Sequence, residues 1–410
     1  MADLEAAIND AIAAHDIPGC ALTVTNRDGS FTYTKAFGSA SMKEGSERPM
    51  QLNTIMWTAS CTKLMTSLCC MQLVDQGLVS LDEAVHKHIP ELESYKVLSG
   101  FDDNGAPIET KQAKPITLRL LLTHSSGLTY DALHPNAMAW LQYHKQPLRT
   151  SGKLLERFEL PLMFQPGESW TYGSSTDFAG LIVERVTGQT LEAYMRKNIW
   201  EPLGIKDMTF HPSSRPDMKE RMADMAIRDP ATGKVQNYDG PMPWHDGEGK
   251  ELQDCFGGNG VFTSAEEYVK VLKAMLTNEE NEKLLKKETM DIFFTPQLGE
   301  RSKNTLNASL QNDMMNTMMG NTDKSITKDW GLGGLLIDSD SPTGSKAGTM
   351  IWGGAPNLRW WCDRKSGLCG FYAGLVWPPG DAKIGVLNEK FEETMYKMLA
   401  EHGKNGEARL

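Results

Sequence analysis

The sequence predicts an α+β protein in which one central antiparallel sheet is assembled from both ends of the chain and a mainly helical lobe is inserted between them. Alternating and β-branched runs occur at 21–34 and again at 331–376. The segments between these runs show the apolar spacing of helices. Because strands from both chain ends can share one layer, we expect residues 1–85 and 325–410 to form the sheet-containing lobe and residues 86–324 the helical lobe.

The first elements are predicted from short local patterns. Apolar residues at helical spacing over 2–15 indicate an amphipathic helix that ends before Ile17-Pro18-Gly19. Residues 21–25 and 31–34 flank Asp28-Gly29, a pair typical of a β-hairpin turn. A helix followed by a hairpin is therefore expected to open the chain.

The middle of the chain is predicted to be largely helical. Residues 60–76 are apolar nearly all round, and the following Gly77 is a suitable C-terminal cap, so we expect a buried central helix here. Residues 80–160 are expected to form helical pieces and loops. Two longer helices are predicted over 175–199 and 264–277.

The last quarter of the chain changes to strands. The preceding Met- and Asn-rich stretch 304–321 is predicted to be a mobile loop. Strands are then predicted at 335–337, 349–352, 358–362 and 368–376. A final helix is expected over about 381–401.

Composition excludes several classes of function. The 410 residues carry a net charge of −11 and no Lys/Arg-rich run, which argues against a nucleic-acid partner or an anionic membrane surface. The N-terminal residues lack the basic start and apolar core of a secretory signal, and no stretch approaches 18 apolar residues. We therefore expect a cytoplasmic protein.

Cysteine and histidine patterns predict neither a disulfide framework nor a metal site. The seven cysteines form no CxxC pair, and an odd number spread over a long chain is typical of reduced, mostly buried thiols. The nine histidines include no HExxH, and the pair His86-x-His88 lies in a polar connection without a further ligand at zinc spacing. No metal and no cofactor are expected.

The stretch Ser60-Cys61-Thr62-Lys63 is a candidate catalytic turn. If a helix begins at Ser60, the Lys63 amine projects over the same face as the Ser60 hydroxyl, which places a base beside a nucleophile. The unpaired N–H groups at the start of such a helix could also stabilise an oxyanion. The pattern alone is weak, because Ser is a common N-cap and a second copy occurs at Ser325-Ile326-Thr327-Lys328 in a polar segment. Cys61 would point about 100° away from the Ser60/Lys63 face.

Further motifs occur in an order that resembles the serine β-lactamase/penicillin-binding-protein superfamily, class C-like and esterase branch. After Ser60-x-x-Lys63 they are Leu121 to Leu128 (LLTHSSGL), Pro166-Gly167-x-x-Trp170-x-Tyr172-Gly173-Ser174, and Trp352-Gly353-Gly354. The resemblance covers roughly residues 5–400. It implies a β-lactamase/transpeptidase-like fold that forms one catalytic unit over residues 1–410.

Within that superfamily the sequence resembles fungal polyketide acyltransferases of the lovastatin/simvastatin transesterase type. The shared features are the chain length, the segment Gly100 to Gly105, the segment Asp254 to Phe262 and the segment Trp330 to Gly334. The resemblance implies an acyltransferase of secondary metabolism.

The resemblance also implies roles for individual residues. Ser60 would be the acylated nucleophile, Lys63 its proton acceptor and Tyr172 a second acid/base. The oxyanion would be bound by the N–H groups of Ser60 and Ala355. Free tyrosine and lysine side chains titrate near ~10 and ~10.4, so a basic role at neutral pH needs help from the surroundings. Which of Lys63 and Tyr172 starts as base is left open, and for Tyr172 a buried aromatic in a turn is the alternative.

The resemblance assigns binding roles to Tyr130 and to the strand Trp352-Gly353-Gly354. Tyr130 matches an aromatic at the pocket mouth, although a simple surface aromatic is a competing interpretation; for the two glycines the competing interpretation is an ordinary strand-end turn. Penicillin-recognising enzymes carry Lys on this strand where Trp352 stands, and Lys346-Ala347-Gly348 is a near match a few residues earlier. Efficient β-lactam hydrolysis is therefore not expected.

Three further observations concern His124, Ser174 and a set of aromatic residues. His124 fits better as a structural hydrogen-bonding residue at a helix end than as a general base. Ser174 stands where many lactamases carry Asn. Four further aromatic residues could line an apolar cleft or belong to the core: Trp244, Phe256, Trp360 and Trp377.

These observations predict a serine acyltransferase that moves an acyl group from a thioester through acyl-Ser60 to a hydroxyl or amine of a small secondary metabolite. The carrier of the donor would be an acyl carrier protein, CoA or a small thioester. The alternative is an esterase, thioesterase or amidase that uses the same site with water as acceptor. A catalytically idle ligand-binding protein is disfavoured because Ser60, Lys63 and Tyr172 occur together.

Overall fold

The computed structural model describes residues 1–46 and 48–407. Over these residues the strands are β1 (Gly19–Asn26), β2 (Thr32–Gly38), β3 (Met56–Trp57), β4 (Val97–Phe101), β5 (Pro107–Thr110), β6 (Met208–Thr209), β7 (Ala226–Arg228), β8 (Val235–Asn237), β9 (Phe262–Thr263), β10 (Lys328–Trp330), β11 (Leu335–Ile337), β12 (Met350–Gly354), β13 (Leu358–Asp363), β14 (Leu368–Ala373) and β15 (Val376–Trp377).

The α-helices of the same residues are α1 (Ala2–Ala13), α2 (Thr62–Asp75), α3 (Leu118–Leu122), α4 (Pro135–Tyr143), α5 (Leu154–Arg157), α6 (Ser175–Thr187), α7 (Leu191–Met195), α8 (Pro216–Lys219), α9 (Ala265–Leu276), α10 (Asn278–Asn281), α11 (Lys287–Phe293), α12 (Glu300–Gln311), α13 (Asp313–Met318) and α14 (Ala382–Glu407). No helix in this part of the chain combines the length and the apolar character needed to span a bilayer.

The central sheet joins the two ends of the chain, as predicted. Its strand order is β10-β11-β12-β13-β14-β1-β2, and every neighbouring pair is antiparallel. Strand β1 pairs with β2 on one side and with β14, nearly 350 residues away in sequence, on the other. All but the last residue of β1 are buried, because helices cover both faces of the sheet at its centre. The α+β class is therefore confirmed, whereas the lobe boundaries at residues 85 and 325 stay a prediction.

Aromatic side chains show how the two faces of the sheet are covered. Phe371 of β14 packs on Tyr268 of α9, with ring centroids 4.5 Å apart. Trp361 of β13 packs on Phe391 of α14 on the opposite face, with centroids 5.2 Å apart. Gly370 lies directly across from Trp361, and a Cβ there would collide with the indole ring. A glycine at this position lets the large ring lie flat against the sheet.

The predicted central helix is present and is buried on almost every side. A 3₁₀ turn, Ala59–Cys61, leads into α2, and all residues of α2 up to Leu73 are buried. Gly77 ends the helix in a left-handed conformation, with φ +69°. Helix α2 packs on α6 of the helical lobe. The N-terminal end of α2 therefore lies between the sheet and the helices, where the candidate site forms.

Two element predictions were wrong in the helical lobe. Residues 304–321 are not a loop but the end of α12 and the whole of α13, joined at Asn312, whose side chain caps Met315 N. The predicted helix 175–199 is broken at Gly188, which has φ +69°, and restarts with Thr190 as N-cap. Two apolar side chains in α12, Leu306 and Leu310, are too few to reveal a helix by periodicity, and Asn favours turns as well as caps.

Two strand assignments also needed correction. Strands β4 and β5 form a hairpin within 80–160 that was not predicted, because β5 is mostly exposed and shows no apolar alternation. Its turn is closed by Asp102, whose Oδ1 accepts from the N–H groups of Asn104 and Ala106. The predicted strand 368–376 ends at residue 373; β15 then leaves the sheet and pairs in parallel with β7.

Candidate active site

A cavity of about 840 Å³ opens between the N-terminal end of α2, the end of β12 and the loops of the helical lobe. Its lining includes most of the residues that the sequence singled out: Ser60, Tyr130, Tyr172, Trp352, Gly353, Gly354 and Ala355. Lys63 lies behind this wall and is only 3% exposed. Residues from four separate stretches of the chain thus meet at one place.

Ser60 is held in the 3₁₀ turn that precedes α2. Thr58 anchors the start of this turn, because both its N–H and its hydroxyl donate to Val261 O, at 3.0 and 2.8 Å. Ala59 adopts a left-handed conformation with φ +45°, which is unfavourable for a residue with a Cβ. Such strain next to a candidate nucleophile is typical of functional sites. The helix was predicted to begin at Ser60, but α2 begins two residues later at Thr62, and Ser60 lies in the preceding 3₁₀ turn.

Lys63 makes three polar contacts around its amine. Nζ donates to Gly258 O at 2.8 Å, lies 3.2 Å from the Tyr130 hydroxyl and lies 3.3 Å from Ser60 Oγ. It also sits 4.7 Å from the centroid of the Tyr172 ring. The predicted Ser60/Lys63 pair is thus within hydrogen-bond reach.

Tyr172 approaches Ser60 from the other side. Its hydroxyl donates to Ser60 Oγ at 2.7 Å and accepts from Trp352 Nε1 at 3.3 Å. The neighbouring Gly173 allows this position, since a Cβ there would collide with the backbone of Thr129. Ser60 Oγ therefore lies between two proton-transfer groups, an amine and a phenol, and the phenol is itself held by an indole.

The end of β12 presents free backbone next to the nucleophile. Strand β11 pairs with β12 only at Met350 and Ile351, so residues 352–354 have an unpaired edge toward the cavity. A Cβ at Gly354 would collide with Thr58 O. Only glycine lets this strand approach the turn that carries Ser60, and Ala355, one residue further on, lines the cavity.

Lys346 is not the cation of a penicillin-binding strand. It lies in the turn before β12 and forms an ion pair with Asp340 at 2.9 Å. Trp352 instead occupies the cavity wall, where its ring packs on Tyr172 and Trp330. The Trp-Gly-Gly alignment is therefore the one that the structure follows.

Asp177 and Gly258 belong to the site but were not predicted from the sequence. Asp177 of α6 is completely buried; its Oδ2 accepts from the Tyr130 hydroxyl at 3.0 Å and its Oδ1 accepts from Gly258 N at 2.8 Å. Burial raises the pKa of this carboxyl. A lone acidic residue on the otherwise apolar face of a helix was the signal available in the sequence.

Tyr130 reaches deeper than the pocket mouth to which the sequence assigned it. Besides lining the cavity, its hydroxyl contacts Lys63 and Asp177, which a surface aromatic would not do. Burial and the nearby Asp177 carboxylate raise the pKa of Tyr130 well above its usual range, so the phenol keeps its proton.

His124 packs among aromatic rings instead of acting as a hydrogen-bonding side chain. Its ring lies 4.7 Å from Tyr172 and 5.1 Å from Trp330, and Nδ1 has no hydrogen-bond partner among residues 1–46 and 48–407. Its backbone does close the end of the segment, since His124 O accepts from Thr171 N. Burial, and to a smaller extent the charge of Lys63, lower the pKa of His124 well below 6.5.

Because His124 is buried in its neutral form, we expect the free energy of unfolding to decrease in weak acid. Below about pH 6.5 the unfolded chain binds a proton at His124 that the folded protein excludes, so the free energy of unfolding falls by about 1.4 kcal/mol per pH unit from this group. We expect His124→Asn, which tolerates the left-handed φ of +57°, to remove that slope. Urea unfolding of both proteins between pH 5 and 7 measures it; a wild-type minus variant difference that is constant with pH would contradict the assignment.

The rest of the cavity is mainly apolar. Of the four aromatic residues left open by the sequence, Trp377 lines the cavity, whereas Phe256 and Trp360 are buried in the core and Trp244 packs with Trp57. Methionines of α13 and the residue after it form one wall: Met314, Met315, Met318 and Met319. Arg157 is the cationic side chain on the helical-lobe wall, and its Nη1 has no hydrogen-bond partner among the described residues.

The fold and the Ser60 turn together are those of a serine enzyme of the β-lactamase class. The family model described as beta-lactamase matches residues 4–379, so the chain belongs to the β-lactamase family. This match confirms the superfamily predicted from the motifs. The predicted relationship to fungal polyketide acyltransferases is confirmed by the similar proteins described next.

The chain is similar to curated proteins over nearly its whole length. It is 37% identical to lovastatin esterase of Penicillium rubens, covering 94% of this chain and 96% of that one. It is 36% identical to ML-236A carboxylate methylbutanoyltransferase mlcH of Penicillium citrinum, covering 97% and 95%. It is also 36% identical to monacolin J acid methylbutanoyltransferase of Aspergillus terreus, covering 96% and 95%.

The chain is also similar to solved structures over nearly its whole length. A simvastatin synthase mutant from Aspergillus terreus superposes with a TM-score of 0.89 at 36% identity, over 97% of this chain and 95% of that chain. A hydrolase with promiscuous acyltransferase activity, EstCE1, matches with a TM-score of 0.75 at 18% identity, over 96% and 97%, which shows the shared fold alone.

Proposed function

We propose that the protein is a serine acyltransferase that moves an acyl group from a thioester donor, through acyl-Ser60, to a hydroxyl or amine of a small secondary metabolite. The observation that carries this proposal is the position of Ser60 Oγ, 3.3 Å from Lys63 Nζ and 2.7 Å from the Tyr172 hydroxyl, on the wall of a large apolar cavity. A nucleophile held by two proton-transfer groups is the arrangement that covalent acyl transfer requires.

In the first half-reaction, Ser60 Oγ attacks the thioester carbonyl while its proton passes to Lys63 or Tyr172. The oxyanion that forms is held by the backbone N–H groups of Ser60 and Ala355. The C–S bond then breaks, the thiolate takes up the proton, and the acyl group remains on Ser60. A positioned base contributes roughly 10²–10⁴ in rate and an oxyanion donor roughly 10²–10³.

In the second half-reaction, the acceptor hydroxyl or amine attacks acyl-Ser60 and gives its proton to the Tyr172 oxygen, while the phenol's own proton is the one passed to Ser60 Oγ, to which it already donates. The same two N–H groups stabilise the second tetrahedral intermediate, and its collapse leaves that phenol proton on Ser60 Oγ. Tyr172 suits this step because it stands at the cavity wall while Lys63 lies behind it. The acceptor is thus the group that decides the product.

Two features of the cavity support an acceptor with an apolar body and an acidic group. The methionine wall of α13 and the indoles of Trp57 and Trp377 suit a polyketide ring system, since methionine adapts to irregular apolar shapes. Arg157 places a positive charge on the cavity wall, which favours a carboxylate on the acceptor. The relatives named for monacolin J acid and ML-236A carboxylate act on carboxylate-bearing molecules of this kind.

The donor thioester is expected on an acyl carrier protein or on CoA, and the reaction in the cytoplasm. The cavity is lined by few charges, and the net charge of −11 disfavours nucleic acid or an anionic membrane as partner. No cofactor takes part in the proposed steps.

Hydrolysis is the second candidate function, because the relative at 37% identity is named an esterase. The same acyl-Ser60 would form, and water would replace the acceptor. Tyr172 would then receive the proton of that water. The two functions differ only in what resolves the acyl-enzyme.

One experiment separates them. The protein is mixed with a small methylbutanoyl thioester, and intact mass detects acyl-Ser60 while thiol release is followed with and without monacolin J acid. We expect the adduct to form and to be discharged faster with acceptor, giving the acyl ester. Thiol release that no acceptor accelerates, with free acid as product, would favour the hydrolase; absence of an adduct with any activated ester or thioester would reject both.

A further inference from the structure

We propose that Asp177 is a positioning residue that acts through Tyr130 to orient the Lys63 amine toward Ser60. The inference rests on the proposed function, since it concerns how acyl-Ser60 forms. Asp177 does not line the cavity, so it does not touch substrate. Its effect would pass entirely through hydrogen bonds behind the cavity wall.

The directions of these hydrogen bonds are determined by the groups involved. Gly258 O is an acceptor only, so it takes one N–H of Lys63 at 2.8 Å. The Tyr130 hydroxyl has a single proton and donates it to Asp177 Oδ2 at 3.0 Å. Toward Lys63 Nζ, 3.2 Å away, Tyr130 can therefore only accept. Besides its bond to Cε, the tetrahedral Lys63 nitrogen has three positions. Two of them hold the N–H bonds that point to Gly258 O and to the Tyr130 hydroxyl.

The third position on the nitrogen faces Ser60 Oγ at 3.3 Å. In the neutral amine this position holds the lone pair, because both protons are already committed to Gly258 and Tyr130. When Ser60 attacks the acyl carbonyl, its O–H bond breaks and the proton forms a third N–H bond on Lys63. The resulting ammonium returns that proton to the leaving group.

One carboxylate holds both of the groups that Lys63 donates to. Oδ2 of Asp177 fixes the Tyr130 hydroxyl, and Oδ1 accepts from Gly258 N at 2.8 Å, which fixes the peptide whose carbonyl binds Lys63. A Cβ at Gly258 would collide with Asp177 and crowd the Tyr130 hydroxyl, so the three groups are packed without spare room. A carboxylate, which only accepts, is the group that keeps Tyr130 a donor toward it.

The test is a double-mutant cycle on Asp177 and Tyr130. In Asp177→Asn the carbonyl oxygen can still accept from Gly258 N, while the amide NH₂ donates to Tyr130 and turns the phenol proton toward Lys63. Tyr130→Phe removes the phenol altogether. The single-turnover rate constant for acylation of Ser60 by a saturating activated ester is measured for the wild type, both single variants and the double variant; this rate constant does not depend on the folded fraction.

We expect each single variant to acylate Ser60 about 10²-fold more slowly, with an unchanged half-saturation concentration of ester. The double variant should be no slower than Tyr130→Phe within about twofold, since Asp177 acts through Tyr130. Asp363→Asn is the matched control. Asp363 is also buried, and it also accepts from a tyrosine hydroxyl (Tyr396, 3.0 Å) and from backbone N–H groups, but it lies away from the cavity. Its variant should acylate at the wild-type rate.

Each other outcome has a definite meaning. If the wild type forms no acyl-enzyme, the proposed function is rejected. If the wild type forms it and Asp177→Asn acylates equally fast, this inference alone is rejected. If the two losses multiply in the double variant, Asp177 affects acylation independently of Tyr130, and this result would also overturn the inference. If Asp177→Asn does not fold, Tyr130→Phe decides, because a wild-type acylation rate without the phenol would remove the proposed path.

Discussion

Ser60→Ala is expected to lose the covalent acyl adduct completely and to reduce acyl transfer by on the order of 10⁶-fold, the scale seen when a serine nucleophile is removed. The Ser60 hydroxyl is the oxygen that both Lys63 Nζ and the Tyr172 hydroxyl contact, so no other group can take its place at that point. Intact mass after incubation with thioester, and the rate of thiol release, measure the two effects.

Two controls are available in the chain. Cys61 is the adjacent thiol, but it is fully buried and burial raises its pKa far above the usual range, so Cys61→Ala should still form the adduct. Ser325 belongs to the second Ser-x-x-Lys sequence, and its N–H and hydroxyl donate to the nearby Asp323. Ser325→Ala should therefore behave as the wild type. An adduct that survives in Ser60→Ala would refute the assignment of the nucleophile.

Lys63→Met is expected to lower the acylation rate by roughly 10²–10⁴ while Ser60 remains in place. Methionine fills a similar volume behind the cavity wall but leaves the Ser60 proton without the amine, and it leaves Gly258 O and the Tyr130 hydroxyl without their donor. Single-turnover acylation with an activated ester isolates this step from the later reaction with the acceptor. Circular dichroism checks that the fold is retained.

Lys63→Arg separates charge from basicity. The guanidinium keeps a positive charge near Ser60 but cannot release its proton in a protein, so it cannot accept one from Ser60. We expect Lys63→Arg to be as slow as Lys63→Met. Acylation at the wild-type rate in Lys63→Arg would mean that the cation only stabilises the site and that Tyr172 is the base.

Local patterns predicted the elements whose signals lie within a few residues. The hairpin around Asp28-Gly29, the helix after Ser60 and the strands after residue 331 were found near their predicted places, because turn residues and apolar periodicity act over short distances. The helices over 300–318 were missed for the same reason, since polar residues dominate α12, α13 is only 6 residues long, and tertiary packing is needed to reveal their buried faces. Propensity is a weak guide where packing stabilises the helix.

The residues of the candidate site likewise fall into those that the sequence predicted and those that it did not. Ser60 and Lys63 could be paired from their spacing alone, because residues three apart meet on a helical turn. Tyr172 and the strand at Trp352 came from ordered motifs. Asp177 and Gly258 could not be found in this way: Gly258 lies 195 residues from Lys63 in sequence, and its role depends on a backbone carbonyl, which no side-chain pattern marks.

The sequence by itself determined the chemistry available at the Ser60-Cys61-Thr62-Lys63 turn, and its ordered motifs identified the family. Tertiary structure decided which groups surround that turn: that the Tyr130 hydroxyl contacts Lys63, that Trp377 lines the cavity while Trp360 is core, and that Asp177 accepts from Tyr130. The physical reason is the sequence distance between the residues that contact one another. Hydrogen-bond direction and burial depend on partners brought together by the sheet and helices from distant parts of the chain, and no local pattern records those partners.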